Sequence, residues 1–178
     1  MKLGAKIFGA LALLLILYLV LGLLLPGRWE AEVEADLPAP PSTVFHFLNR
    51  MDRLVLWTSM PESGSNFLGP EEGVGAGLHW DDPQYGEGQV RILVSEADTL
   101  VEYLVLVEGG SLEIQGVFSL RPEGAGTRLH WQERGDFGWN PLMGYAARGM
   151  AASQREAMRS ALEALRSRLE EGRSEEEG

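Results

Sequence analysis

Near its N-terminus the chain carries nineteen consecutive uncharged residues, Ile7 to Leu25 (IFGALALLLILYLVLGLLL), ten of them leucine. A helix of that length rises roughly 28 Å, close to the roughly 30 Å of a bilayer's hydrocarbon core. Its leucines alone favour insertion by about 5 kcal/mol. A core helix of a soluble domain is seldom apolar on every face, so this pattern predicts a membrane-spanning segment. The pattern then changes period. From Arg28 to Leu37, Trp29, Ala31, Val33, Ala35 and Leu37 fall on one face, opposite Glu30, Glu32, Glu34 and Asp36. Strict alternation predicts a half-buried antiparallel strand.

Pro38-Ala39-Pro40-Pro41 stops that strand, and the spacing of Val44, Phe45, Phe47, Leu48 and Met51 predicts a helix starting at about Ser42. A shorter helical turn follows over Asp52 to Trp57. Beyond a Gly-, Ser- and Pro-rich stretch with one short strand at Asn66–Leu68, four strands are predicted: Gly77–Asp81, Gly88–Ala97, Thr99–Glu108 and Ser111–Pro122. Thr127–Gly135 is the last. The short breaks between them predict hairpins and an antiparallel meander. Asn140-Pro141 is a helix-start signal. The helix it opens runs to about Glu171, with Met158, Leu162, Leu165 and Leu169 on its inner face and Gly172 as its stop. Three segments result: an anchor over 1–26, one domain over 28–172, and an acidic disordered tail over 173–178.

The flanks orient the anchor. Lys2 and Lys6 precede the apolar run, whereas one Arg and four acids follow it closely, so the positive-inside rule keeps the N-terminus cytoplasmic and sends the rest across. A cleaved signal peptide is the alternative. The apolar run is longer than the usual h-region of roughly 7–15 residues, and no small-x-small site stands between Leu21 and Ala35. The expected location is therefore the cytoplasmic (inner) membrane, single-pass, with an extracytoplasmic or periplasmic domain.

Charge and absences narrow the chemistry. All 26 acidic residues follow the anchor and both lysines precede or begin it, so the domain is more acidic than the chain's net −11. Nucleic acid is a poor partner for such a surface. With no cysteine and no lysine in the domain, thiolate chemistry, Schiff bases and a P-loop are excluded. Neither a G-x-S-x-G elbow nor a clustered His spacing is present, so His46, His79 and His130 are expected at the surface rather than in a metal site, and no cofactor is expected. Gly73-Val74-Gly75-Ala76-Gly77 lacks the strand–helix context of a phosphate cradle and is expected to be a loop.

Pro40-Pro41-Ser42-Thr43-Val44-Phe45-His46-Phe47-Leu48 resembles the A-P-x-x-V-F-x-x-L opening of the bacterial polyketide cyclase/dehydrase-type SRPBCC proteins, of the START/Bet v 1-like superfamily. Trp57 stands where the family's second helix usually ends in Trp, and Gly126-Thr127-Arg128-Leu129-His130-Trp131 is similar to its G-T-R-V-x-W final strand. The resemblance covers roughly residues 28–172. It implies an α+β helix-grip fold, a curved antiparallel sheet around a long C-terminal helix, with any ligand held between them. The family hosts lipid carriers, cyclases and co-chaperones, so it speaks for fold more than function.

Strand parity then names cavity candidates. Trp80, Tyr103, Phe118 and Trp131 supply most of the inward bulk, with Trp57 beside them. In Gly88–Ala97, Val90, Ile92 and Val94 are expected inward, opposite Gln89, Arg91 and Ser95. The first half of the long helix is small (Gly144, Ala146, Ala147, Gly149, Ala151, Ala152), which predicts either an apolar pocket beneath it, near Ala147 and Met150, or close packing of its backbone on bulky Trp and Phe. Three functions follow. The first is a membrane-anchored, non-catalytic binder of a hydrophobic small molecule or lipid. The second is a cyclase/dehydrase-like enzyme in which Tyr103 or Glu133 moves protons. The third is an envelope interaction module with no ligand. Convergent acid–base groups in an apolar cavity distinguish the second from the first.

Overall fold

The computed structural model describes residues 2–25, 27–61, 64–83, 86–138 and 143–176. The apolar run forms helix α1 (Lys2–Leu24). Over Lys6–Leu24 its mean hydropathy is 2.9 and only 6% of it is buried, so it lies outside the core. It is long and apolar enough to cross a membrane, a property that a signal sequence shares.

The alternating segment forms β1 (Arg28–Leu37), with its glutamates exposed and Trp29, Ala31, Val33 and Leu37 buried. Helices α2 (Pro41–Asn49) and α3 (Met51–Leu54) follow. Helix α2 begins at Pro41 rather than Ser42, since proline's fixed φ suits the first helical turn and no side chain caps it. Six further strands are β2 (Ser65–Leu68), β3 (Gly77–Asp82), β4 (Gly86–Glu96), β5 (Leu100–Val107), β6 (Leu112–Glu123) and β7 (Gly126–Asp136). All neighbours pair antiparallel in one seven-stranded sheet of order β1-β7-β6-β5-β4-β3-β2. Helix α4 (Met143–Glu176) crosses the concave face, burying Met158, Leu162, Leu165 and Leu169. This is the helix-grip architecture. The predicted start at Asn140-Pro141 lies outside the described residues.

Two expectations are corrected. Helix α4 continues through Gly172 to Glu176. Glycine costs a helix only about 1 kcal/mol relative to alanine, and without a left-handed turn it does not stop one, so Arg173–Glu176 is helical. In β4 the register shifts between Ile92 and Val94, a bulge that leaves Leu93 exposed. A bulge reverses the alternation. Val94 therefore pairs with Glu102, and Ser95 turns inward opposite Val101, where its hydroxyl donates to Asn49 Oδ1 at 2.6 Å and helps satisfy that buried amide.

Three inward strand glycines share one arrangement. Gly135 lies directly opposite Trp29, Gly88 opposite Trp80, and Gly116 opposite Tyr103. Each ring lies across its glycine. A Cβ there would stand 2.6 Å from Trp29, 2.3 Å from Trp80 and 2.0 Å from Tyr103. The missing side chain lets a large ring lie flat on the sheet, which covers the exposed backbone in return. Gly116→Ala is expected to cost about 1–3 kcal/mol, the usual range for overpacking a core. It would be read as a lower urea midpoint at unchanged slope. An unchanged midpoint would show that the Tyr103 ring moves aside freely.

Candidate functional site

The sheet, α4 and the segment after α3 enclose a cavity of about 250 Å³. Strands supply Trp80, Tyr103, Val105, Val107, Ile114, Phe118, Trp131 and Glu133. Helix α4 supplies Gln154, Ala157, Met158 and Ala161, and Leu54 and Thr58 to Pro61 close the side. Three of these rings, with Trp57 behind them, pack as one cluster at its floor. Phe118 lies 5.0 Å from Trp131 and 5.1 Å from Tyr103, and Trp57 lies 5.7 Å from Trp131.

Of the residues picked out by parity, Trp80, Tyr103, Phe118 and Trp131 therefore meet at one cavity. Trp57 sits one layer behind, 3% exposed, against Phe118 and Trp131. Ala147 is buried and Met150 packs on the core, but neither is among the residues lining this cavity. The cavity lies under Gln154 to Ala161, just beyond the small-residue half of α4. That half has a different occupant at its start: a Cβ on Gly144 would stand 2.7 Å from Leu25 Cβ and 2.9 Å from the Gly22 carbonyl. The small residue there admits α1.

Parity also carries Glu133 inward, two residues beyond Trp131 on the same face of β7. It is 5% exposed and is the polar centre of the site. Tyr103 Oη donates to Glu133 Oε1. Gln154 Nε2 donates to Glu133 Oε2 at 2.5 Å, and Trp131 Nε1 donates to Tyr103 Oη at 2.7 Å. Sequence reading named Tyr103 and Glu133 separately. It missed Gln154, whose inward position needed only the helical period counted back from Met158, and it missed that all four groups form one chain of hydrogen bonds. Burial pushes the Glu133 carboxyl above its ordinary value, opposed by the hydrogen bonds it accepts. Burial, and then the neighbouring Glu133 charge, pushes the Tyr103 phenol well up, so it remains a donor. Trp80 is 6% exposed, and its indole N–H has no hydrogen-bond partner among the described residues.

The histidines stand apart from this site. His79 lies 3.4 Å from Glu87 and His130 3.6 Å from Glu32, both partly exposed. Among the described residues no group of three His, Cys, Asp or Glu is placed to hold a metal ion. Gly73 and Gly75 adopt φ of 78° and 91° within the loop before β3.

A sheet wrapped around a long C-terminal helix, with a cavity between them, defines a helix-grip protein of the START-like class. Residues 28–170 match the family described as "Polyketide cyclase / dehydrase and lipid transport", and the chain belongs to that family. Among solved structures, it is similar to the Mll3558 protein from Rhizobium loti (22% identity, 79% of this chain and 96% of that one, TM-score 0.58). It is also similar to StfQ, a di-domain ARO/CYC from the steffimycin biosynthetic pathway (10% identity, 83% of this chain and 52% of that one, TM-score 0.62). A third is DynU16, a putative protein in the dynemicin biosynthetic locus (16% identity, 80% and 48%, TM-score 0.58). At these identities the likeness is one of fold. No curated protein matches the chain.

The raised Glu133 value has a definite sign. A carboxyl that holds its proton more tightly when folded loses stabilisation as pH rises from the unfolded value towards the native one. Glu133→Gln keeps the acceptor for Tyr103 and removes the buried charge. It is expected to leave stability nearly unchanged in mild acid and to raise it near neutral pH. Urea midpoints of both proteins across that range check this, and parallel pH profiles would show that Glu133 does not titrate abnormally.

Proposed function

We propose that this protein is a membrane-anchored binding protein for an uncharged, mainly apolar small molecule or lipid carrying a hydroxyl or carbonyl oxygen. The observation that carries the reading is a largely apolar cavity with a single polar centre, Glu133, held by Tyr103 and Gln154. Concave apolar sites with a few placed polar groups are the usual form of a small-molecule site. A ligand hydroxyl can donate to the spare lone pairs of Glu133. An anionic ligand is disfavoured, since it would bring a second negative charge beside a buried carboxyl. The apolar helix supplies the anchor. The lysines before it and the acids after it favour a cytoplasmic N-terminus and an extracytoplasmic domain.

The convergence of Tyr103 and Glu133 also favours a second reading, proton-transfer catalysis of the dehydrase kind. Binding is preferred because the pair is already engaged. Tyr103 donates a hydrogen bond to Glu133 and keeps its proton, and both carboxylate oxygens accept bonds from within the protein. A general base must take up the proton as well as accept a hydrogen bond, and donors on both oxygens lower the basicity of Glu133.

Detergent-solubilised full-length protein is expected to bind 1-naphthol. Ala161→Leu, which fills the cavity, should abolish binding. Glu133→Gln should weaken it by about tenfold, about 1.4 kcal/mol, the size of a hydrogen bond to a charged acceptor. Binding unaffected by Ala161→Leu would place the site elsewhere. If a co-purified ligand were chemically changed by the wild type and not by Glu133→Gln, the catalytic reading would replace this one.

A further inference from the structure

The cavity lies at one particular end of the domain, and strand register shows which. Arg28, the first residue of β1, pairs with Asp136, which pairs with Glu113, which pairs with Leu106. This hydrogen-bonded row marks the edge of the domain from which α1 departs. Val105 and Val107 flank it, and Ile114 is one residue above it. Glu133 is three residues along β7 from Asp136, roughly 10 Å at the rise of a strand. Glu133, Val105, Val107 and Ile114 therefore lie toward the edge from which α1 departs, and Phe118 and Trp131 lie deeper, each five residues along its strand from that row.

Burial falls towards that same edge. On the inward face of β5, Val101 and Tyr103 are buried, whereas Val105 and Val107 are partly exposed. On β6, Leu120 and Phe118 are buried and Ile114 is partly exposed. The mouth thus opens beside the β5–β6 connection, with an apolar rim and its polar centre deeper inside.

A third observation fixes this end against α1. The Tyr145 ring stacks on Tyr18 at 4.6 Å with planes 1° apart, and its hydroxyl donates to the Tyr18 carbonyl at 2.8 Å. Gly144 meets Gly22 and Leu25. The first turn of α4 is thereby docked on the last two turns of α1.

We propose that the cavity is filled directly from the bilayer. Its ligand is an uncharged membrane amphiphile whose hydroxyl or carbonyl head enters past Val107 and Ile114 towards Glu133, while its chain remains in the leaflet. This rests on the ligand-binding reading above. Volume supports it. About 250 Å³ is below the roughly 300–1,000 Å³ of sites that enclose a whole drug-sized ligand, so a head group fits and a long chain does not. Polarity supports it too, because a lipid head points out of the leaflet and would meet the apolar rim before the polar centre.

The test uses full-length protein in phosphatidylcholine vesicles and a long-chain alcohol bearing a diazirine near its hydroxyl. When the alcohol shares the protein's vesicle, illumination should label peptides containing Val105, Val107 and Ile114. Labelling should exceed that from alcohol supplied in separate vesicles by at least about tenfold, because confinement raises its effective concentration. Gly144→Leu, which forces α4 off α1, should lose that advantage, while the same variant in detergent binds 1-naphthol as the wild type does. Equal labelling from the two vesicle populations, or an unchanged advantage in Gly144→Leu, would overturn loading from the bilayer and leave the binding reading standing. Absence of both 1-naphthol binding and alcohol labelling would overturn the two together.

Discussion

The cavity depends on rings lying flat against the sheet, and two that line it, Trp80 and Tyr103, do so because glycine stands opposite. Trp29, Trp80 and Tyr103 each cover the glycine across the strand pair. With any larger residue there, the rings would have to stand up from the sheet into the space between it and α4. Flat rings leave that space open and shield backbone that glycine would otherwise expose. One of these pairs also places a polar atom in the wall, the Tyr103 hydroxyl at Glu133.

A buried glutamate in such a setting is costly. Desolvation raises its proton affinity, and only the donors around it keep the carboxylate form accessible. Tyr103, Gln154 and the Trp131 indole behind Tyr103 come from β5, α4 and β7. The network therefore ties the helix to the sheet at the level of the cavity. Removing one member would leave a buried polar group unpaired, a larger loss than the net value of a single hydrogen bond. Such a network suits recognition of one oxygen function in an otherwise apolar ligand.

Helix α4 divides into two working parts. From Met158 onward its large side chains fill the core. Before Gln154 its small residues accept other things, and at Gly144 and Tyr145 the other thing is α1. The apolar helix α1 thus packs on its own domain through the first turn of α4.

Local pattern alone determined much of this protein. The apolar run, the strict alternation of β1, the hairpin breaks and the leucine spacing of α4 reflect periods of two and 3.6, which are properties of neighbouring residues. Fold class and the inward aromatics Trp80, Tyr103, Phe118 and Trp131 were legible for the same reason. Three features were decided only by tertiary structure. The bulge at Leu93 reversed the faces of β4 beyond Ile92, because register belongs to a strand pair and not to one strand. The small half of α4 read as a cavity roof, yet at Gly144 it receives α1, a partner more than a hundred residues away. Glu133 became a site only when β5, β7 and α4 brought Tyr103, Trp131 and Gln154 around it. Hydrogen bonds between distant elements leave no periodic trace in sequence. They form only when the fold brings those elements together.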